Sequence, residues 1–250
     1  MCALIGHMLF PVSEACAAEE DSLSMAVGID YSSGKYGSAD TTDILSIPVS
    51  GMYKSGSWLL KLTVPYIRIS GKGDVLPRGI RTKSTTTTKD ATHSGMGDVV
   101  AAVTYSVNSI VYSGLVLDLT GKVKFGTTST LLGTGENDYI FQVNVYQNIA
   151  RFTPMVALGY EVLGSPAGVD LNNVVYGLLG GQYKFTSQTS GGMTMRISQR
   201  FSAIGAEQRE LTTYVEHVLD ESMKASAYVL KGFSDGSPDI GFGILVSSAF

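Results

Sequence analysis

Leu23, Met25, Val27, Ile29 and Tyr31 are large and apolar, whereas Ser24, Ala26, Gly28 and Asp30 between them are small or polar. Side chains of an extended strand point alternately to its two faces, so a period of two predicts a strand with one apolar and one polar face. The rule recurs along the chain. Trp58, Leu60, Leu62, Val64 and Tyr66 are opposed by Leu59, Lys61, Thr63 and Pro65. Further rows are Leu45/Ile47/Val49/Tyr53, Val99/Ala101/Val103/Tyr105, Leu115/Leu117/Leu119/Val123/Phe125 and Tyr139/Phe141/Val143/Val145. The second half continues with Phe152/Pro154/Val156/Leu158/Tyr160, Val175/Gly177/Leu179/Tyr183/Phe185, Met193/Met195/Ile197/Phe201, Leu211/Val215/Leu219, Met223/Ala225/Ala227/Val229 and Ile240 to Phe250. That makes about twelve strands, each near the roughly 9–11 residues of a tilted membrane strand, and an even number as in single-chain bacterial barrels. No window approaches the roughly 18 consecutive apolar residues of a membrane helix.

Connections between the rows alternate in length. Long ones fall near 33–42, 70–96, 126–137, 164–171, 202–208 and 232–237, and short ones near 54–57, 108–109, 148–150, 186–188 and 220–221. An up-and-down antiparallel barrel in the outer membrane has short periplasmic turns and long extracellular loops. A soluble sandwich has no reason to keep that register. Charge gives a second test, because Lys or Arg facing lipid at the midplane costs about 2–4 kcal/mol. The apolar rows hold no charge. The opposite faces hold Asp30, Lys61, Asp98, Asp118, Lys122, Lys124, Asp138, Glu161, Lys184, Arg196, Arg200, Glu210, Glu216, Lys224 and Asp239. The expected fold is therefore an all-β transmembrane barrel with a polar lumen. Pro48, Pro65 and Pro154 each lack a ladder donor, so they are expected at bulges or strand ends.

Composition agrees with one barrel domain over 19–250. Charged residues make up 16% of the 250, below the roughly 25% usual for soluble domains, and there are 29 Gly and 13 Tyr. A formal net charge of −4 gives no broad basic field, which argues against a nucleic-acid partner. Both cysteines, Cys2 and Cys16, lie near the start, beside the apolar stretch 3–10 and the small residues Ala15-Cys16-Ala17. Residues 1–18 read as a signal peptide. No Lys or Arg precedes Lys35, so the basic front of such a signal is missing and an upstream start is expected.

At the other end, Ile240, Phe242, Ile244, Val246 and Phe250 share one strand face, opposite Asp239, Gly241, Gly243, Ser247 and Ala249. Phe242, Ile244, Val246 and the terminal Phe250 resemble the insertion signal read by the outer-membrane assembly machinery. The expected surroundings are then outer-membrane lipid and lipopolysaccharide.

Three stretches stand out at loop ends: Gly95-Met96-Gly97-Asp98, Lys122-Val123-Lys124-Phe125-Gly126-Thr127 and Gly133-Thr134-Gly135-Glu136-Asn137-Asp138. Together they resemble an outer-membrane family of transporter-like barrels assigned to a MetA pathway of phenol degradation. In that family the middle motif usually reads Lys-(apolar)-Pro-Thr-Gly, and Gly126 and Thr128 depart from it. The resemblance implies a barrel that moves small organic molecules. From the residues themselves, Asp98 and Asp138 belong at the extracellular mouth, facing inward, where Lys122 or Lys124 on a neighbouring strand can pair with them.

Three function classes follow. A channel for small solutes would use the inward charges to set selectivity. About twelve strands enclose less than a porin of about 16–18, so a narrow, partly filled lumen is expected. The basic loop 71–89 is a candidate to fold inward as a gate, or else a polar surface loop. An outer-membrane enzyme of lipase or protease type is the alternative, but beyond the signal region only His93 and His217 are available as bases. His93 is expected in the long loop and His217 on the lipid-facing row. The third class is a structural or partner-binding barrel. No cofactor loop, Cys pair or His-x-x-x-His spacing points to a cofactor or metal.

Overall fold

A computed structural model describes residues 21–71, 75–77, 80–81, 91–108, 114–128, 132–166 and 168–250. The signal region, Cys2 and Cys16 lie outside the described residues, as do Lys72, Arg78, Lys83, Lys89 and Asp90 of the basic loop. Fifteen strands are present among the described residues: β1 (Ser22–Gly34), β2 (Thr42–Ser55), β3 (Trp58–Gly71), β4 (Val75–Leu76), β5 (Ile80–Arg81), β6 (Ala91–Met96), β7 (Val99–Asn108), β8 (Leu115–Phe125), β9 (Asp138–Gln147), β10 (Phe152–Val162), β11 (Val174–Lys184), β12 (Thr189–Ser198), β13 (Gln208–Val218), β14 (Met223–Gly232) and β15 (Ile240–Ala249). Each predicted row falls on one of them, although Phe185, Phe201, Leu219 and Phe250 lie beyond the ends of β11, β12, β13 and β15.

Neighbouring strands pair antiparallel in chain order, and β1 pairs with β15 from Ser24↔Ala249 to Ser33↔Ile240, closing the ring. Phe250 follows the last strand and donates its N–H to the Leu23 carbonyl at 2.8 Å. Because β6 and β7 both pair with β3, at its two ends, they form one wall strand interrupted at Gly97-Asp98. The wall is thus a closed twelve-strand antiparallel barrel, and β4 and β5 form a separate two-strand hairpin. Two expectations are corrected here. The long loop does not extend to residue 96, since residues 91–96 are strand, and His93 sits on β6 opposite Ile69 instead of in a loop.

The face assignment follows the alternation. Leu158, Leu179, Phe141 and Ile244 are at least 60% exposed on the outer wall, while Ser46, Thr194, Ser198 and Arg196 on the inner faces are at most 2% exposed. A soluble barrel has the reverse distribution. Arg68, Arg209 and Lys231 are exposed and continue outward rows at the loop end, next to the apolar belt.

The prolines occupy places where no ladder donor is needed. Pro48 and Pro65 lie directly opposite each other on β2 and β3. Antiparallel partners exchange two hydrogen bonds or none, so a pair of prolines must be of the second kind, with each missing N–H aimed at the outer neighbour. Pro48 thereby faces β1, where ladder pairing is interrupted between Val27↔Val49 and Asp30↔Ser46. Pro65 faces the β6–β7 break, where Gly97 donates to its carbonyl at 2.8 Å. Pro154, the third residue of β10, pairs with Gly181 of β11 and precedes the first β9–β10 pair, Met155↔Tyr146, so it stands near the start of the strand.

At the turn end, Asp220 organises the β13–β14 connection. Its carboxylate accepts from the backbone N–H of Ser222 and of Met223, both at 2.8 Å, and from the Ser222 hydroxyl at 2.9 Å. These donors, the Ser222 N–H foremost, hold the Asp220 pKa below its ordinary value. A depressed carboxyl stabilises the fold above its unfolded pKa and loses that contribution as pH falls through the folded one. Asp220→Ala is therefore expected to unfold at lower urea concentration than the parent at pH 7, with the gap closing as pH falls through the depressed Asp220 pKa, measured by tryptophan fluorescence in lipid vesicles.

Candidate functional site

The inner face of the barrel has two tiers. At the loop end it is apolar, which the alternation of charged residues did not foretell. Tyr36, Ile44, Ile67, Ile69, Val75 and Leu132 form one buried cluster. Leu76, Ile80, Leu163, Val174 and Phe201, with Leu171 against them, form another. Val75 and Leu76 are adjacent on the β4–β5 hairpin, yet one packs on β2 and β3 and the other against β11, which lies diametrically across the ring from β2. The hairpin therefore spans the mouth and joins both walls. Tyr36 enters this layer from the β1–β2 loop at φ +52°, a conformation costly for a bulky residue, with its hydroxyl donating to Ser32 at 3.2 Å. Burial first of all pushes the Tyr36 phenol well above its ordinary range, keeping it a donor.

Arg200 and Phe201 depart from expectation here. Strand β12 ends at Ser198, so Arg200 is exposed beyond the wall and does not line the lumen. Phe201, expected on the lipid side, is buried in the mouth layer, drawn inward as the Phe201 carbonyl accepts from Asn172 and Ser202 bridges to Leu171. Lys184 and Asp239 are likewise exposed, at the turn end and the loop end respectively.

The three Gly/Asp/Lys motifs converge beside this layer. Lys124 Nζ donates to Asp98 Oδ2 at 2.7 Å, to Thr134 Oγ1 at 3.1 Å and to the Glu136 carbonyl at 2.8 Å, and lies 3.4 Å from Asp138 Oδ2. All three charged groups are buried. Asp98 also accepts from the Thr128 N–H, and Asp138 from the Gly164 N–H. One ammonium thus clasps the β6–β7 break, the β8–β9 loop and the β10–β11 loop. Gly126 is required for this approach, because a Cβ there would lie 2.1 Å from the Gly135 carbonyl oxygen. Of the two lysines expected to pair with Asp98 and Asp138, Lys124 does so and Lys122 does not.

Below the clasp the inner surface is polar and packed on the β8–β13 side. Arg196, 0% exposed, donates to Glu161 at 3.1 Å and to Gln208 at 2.9 Å, and its guanidinium lies 4.5 Å from the Tyr176 ring centroid. Tyr176 in turn packs over Gly159, where a Cβ would be 2.1 Å from the ring, and donates its hydroxyl to Gln142. Glu210 is buried directly across from Arg196. On the other side Asp30 is buried and accepts from Tyr228 at 2.9 Å, within electrostatic range of Lys61.

Accessibility returns toward the turn end. Lys61, Thr63, Ala102, Thr104, Ser106, Asp118 and Thr120 are half-buried at inward positions of β3, β7 and β8, and Glu216 and Lys224 are half-buried at inward positions of β13 and β14. Water therefore reaches a column along the β3–β7–β8 wall that stops below the clasp. Lys122 stands at its upper edge. On the opposite, lipid-facing side, a groove of about 570 Å³ over Gly121 is lined by Trp58, Tyr105, Phe141 and Tyr160, and is a dent in the apolar belt. His217 faces outward at the turn end, with Nδ1 2.9 Å from the Thr189 hydroxyl.

No family model matches the chain, and no curated protein matches it. Solved structures do. The COG4313 outer membrane channel from Pseudomonas putida F1 is similar over 96% of this chain and 100% of that one, at 12% identity and a TM-score of 0.72. The translocator domain of the autotransporter NalP from Neisseria meningitidis is similar over 99% and 95%, at 12% identity and a TM-score of 0.57. The KdgM porin is similar over 91% and 99%, at 11% identity and a TM-score of 0.52. The chain has the fold of a bacterial outer-membrane β-barrel.

Lys124→Met removes the cation from two buried carboxylates, and breaking such a group costs about 3–5 kcal/mol. The variant is expected to unfold at clearly lower urea concentration and to be cut by protease within residues 126–137, where the parent resists.

Proposed function

We propose that this barrel is a passive channel of the bacterial outer membrane for small organic solutes, aromatic ones among them, normally closed at its extracellular mouth. The observation that carries the reading is the β4–β5 hairpin, whose Val75 and Leu76 bridge opposite walls above a water-accessible column. Opening must separate apolar side chains, which is unfavourable in water and is offset when an apolar solute takes their place. Such a gate favours apolar bodies over hydrated ions. This fits the transporter-like family that the three motifs resemble, with phenol-like compounds as the substrate class.

In this reading Asp30, Lys61, Asp118, Lys122 and Glu216 border the path, the packed Glu161, Arg196 and Glu210 narrow it, and Asp98, Lys124 and Asp138 hold its mouth. Residues 1–18 serve as the export signal. Phe242, Ile244, Val246 and Phe250 form the face read by the barrel-assembly machinery, and Arg68, Arg209 and Lys231 meet the phosphates of lipopolysaccharide. No catalytic step is assigned.

The parent protein in planar bilayers is expected to show rare, low-conductance openings. Val75→Asp with Leu76→Asp, which places two charges in the apolar layer, is expected to raise open probability at least about tenfold, since burying an unpaired charge there disfavours closure. Silence of both proteins at every voltage would sink the channel reading.

A further inference from the structure

One buried cation below the mouth has no hydrogen-bond partner among the described residues. Lys122 is 5% exposed, and among the described residues no acceptor lies within hydrogen-bond distance of its Nζ. The carboxylates around it are committed elsewhere: Asp98 and Asp138 to Lys124, and Glu161 to Arg196. Glu161 attracts Lys122 and Arg196 repels it, both without contact. A bare ammonium out of water is costly, so this arrangement favours any anion that reaches it.

The neighbours of Lys122 define what that anion can be. Along the inner face Lys122 is flanked by Ala102 on β7 and Ile140 on β9. Ile140 belongs to a buried apolar patch with Ala157, Tyr176 and Leu178. Ala102 and the next inward pair, Thr104 and Thr120, are half-buried, so the water column ends beside the lysine. Its four-carbon stem lets the ammonium swing over Ala102 into that column. A doubly charged phosphate would meet Glu161 close by, whereas a single carboxylate needs only one cation.

We propose that Lys122 receives the carboxylate of a small amphiphilic anion whose apolar body lies over Ala102, beside the Ile140 patch. The inference rests on the channel reading for the route by which the solute arrives. The apolar mouth and the lone ammonium then select for two halves of one molecule, an apolar ring or chain and a single negative charge.

The test is calorimetric titration of the purified full-length barrel in detergent with benzoate, cyclohexanecarboxylate, acetate and benzyl alcohol. Benzoate and cyclohexanecarboxylate are expected to bind, with acetate and benzyl alcohol at least about tenfold weaker, because each lacks one half of the match. Lys122→Met is expected to weaken benzoate about tenfold or more, while Lys122→Arg and the loop variant Lys35→Met retain it; the heat-dependent gel shift of a folded barrel is checked for each. Unchanged benzoate binding in folded Lys122→Met, acetate binding as tight as benzoate, or no carboxylate binding to the parent would each overturn the site. Conductance is recorded separately in planar bilayers. A conducting barrel without Lys122-dependent binding discards this site and leaves the channel, and a silent barrel that binds benzoate through Lys122 discards the channel and leaves the site.

Discussion

Every other feature of the molecule depends on the closure of the backbone hydrogen-bond ladder. In hydrocarbon an unpaired N–H or C=O has no water to turn to, so a sheet can cross only as a ring without edges. Pairing of β1 with β15 supplies the last seam, and the Phe250 amide adds a bond beyond it. Once the ring is closed, lipid fixes the outer face as apolar and leaves the inner face to carry whatever the function requires. The prolines show how strict this is: Pro48 and Pro65 are accommodated only by being placed opposite one another, with their missing donors at a gap and at a break.

Within that ring, polar side chains are arranged so that buried charges rarely stand alone. Lys124 holds two carboxylates and three chain segments, and Arg196 is held by Glu161, Gln208 and the Tyr176 ring. Such groups are poor sources of net stability, because desolvation offsets much of their attraction, but they are exacting about geometry. The clasp therefore defines where the loops sit more than it adds to the strength of the barrel. Lys122 is the exception among these inner cations, which is why its surroundings carry chemical information.

The wall was legible in the sequence because lipid imposes the same rule on every strand. Rows such as Leu23 to Tyr31 and Trp58 to Tyr66 marked both strand and face, and the alternating connection lengths marked which end was which. Strand ends were less legible. Ser33, Gly34 and Thr42 are small or polar and read as loop, yet β1 and β2 continue through them, since beyond the apolar belt water makes no demand for alternation. The pairing of Lys124 with Asp98 and Asp138 could be anticipated from inward facing and motif position. The apolar mouth could not, because Tyr36, the Val75-Leu76 pair and Phe201 come from three separate connections with no shared period, and only tertiary structure brings them together. Arg200 was misplaced for the same reason: the chain leaves the wall two residues earlier to deliver Phe201 inward.

The composition of the mouth layer also orders the events of assembly. Leu76 rests on Val174 and Phe201, roughly a hundred residues further along the chain, and contacts so remote in sequence form late because a long loop must close first. The opposite walls that the hairpin bridges have no fixed separation until the ring itself is shut. A newly closed barrel therefore has its wall before it has its mouth layer, and for that interval nothing bridges the opening at its extracellular end.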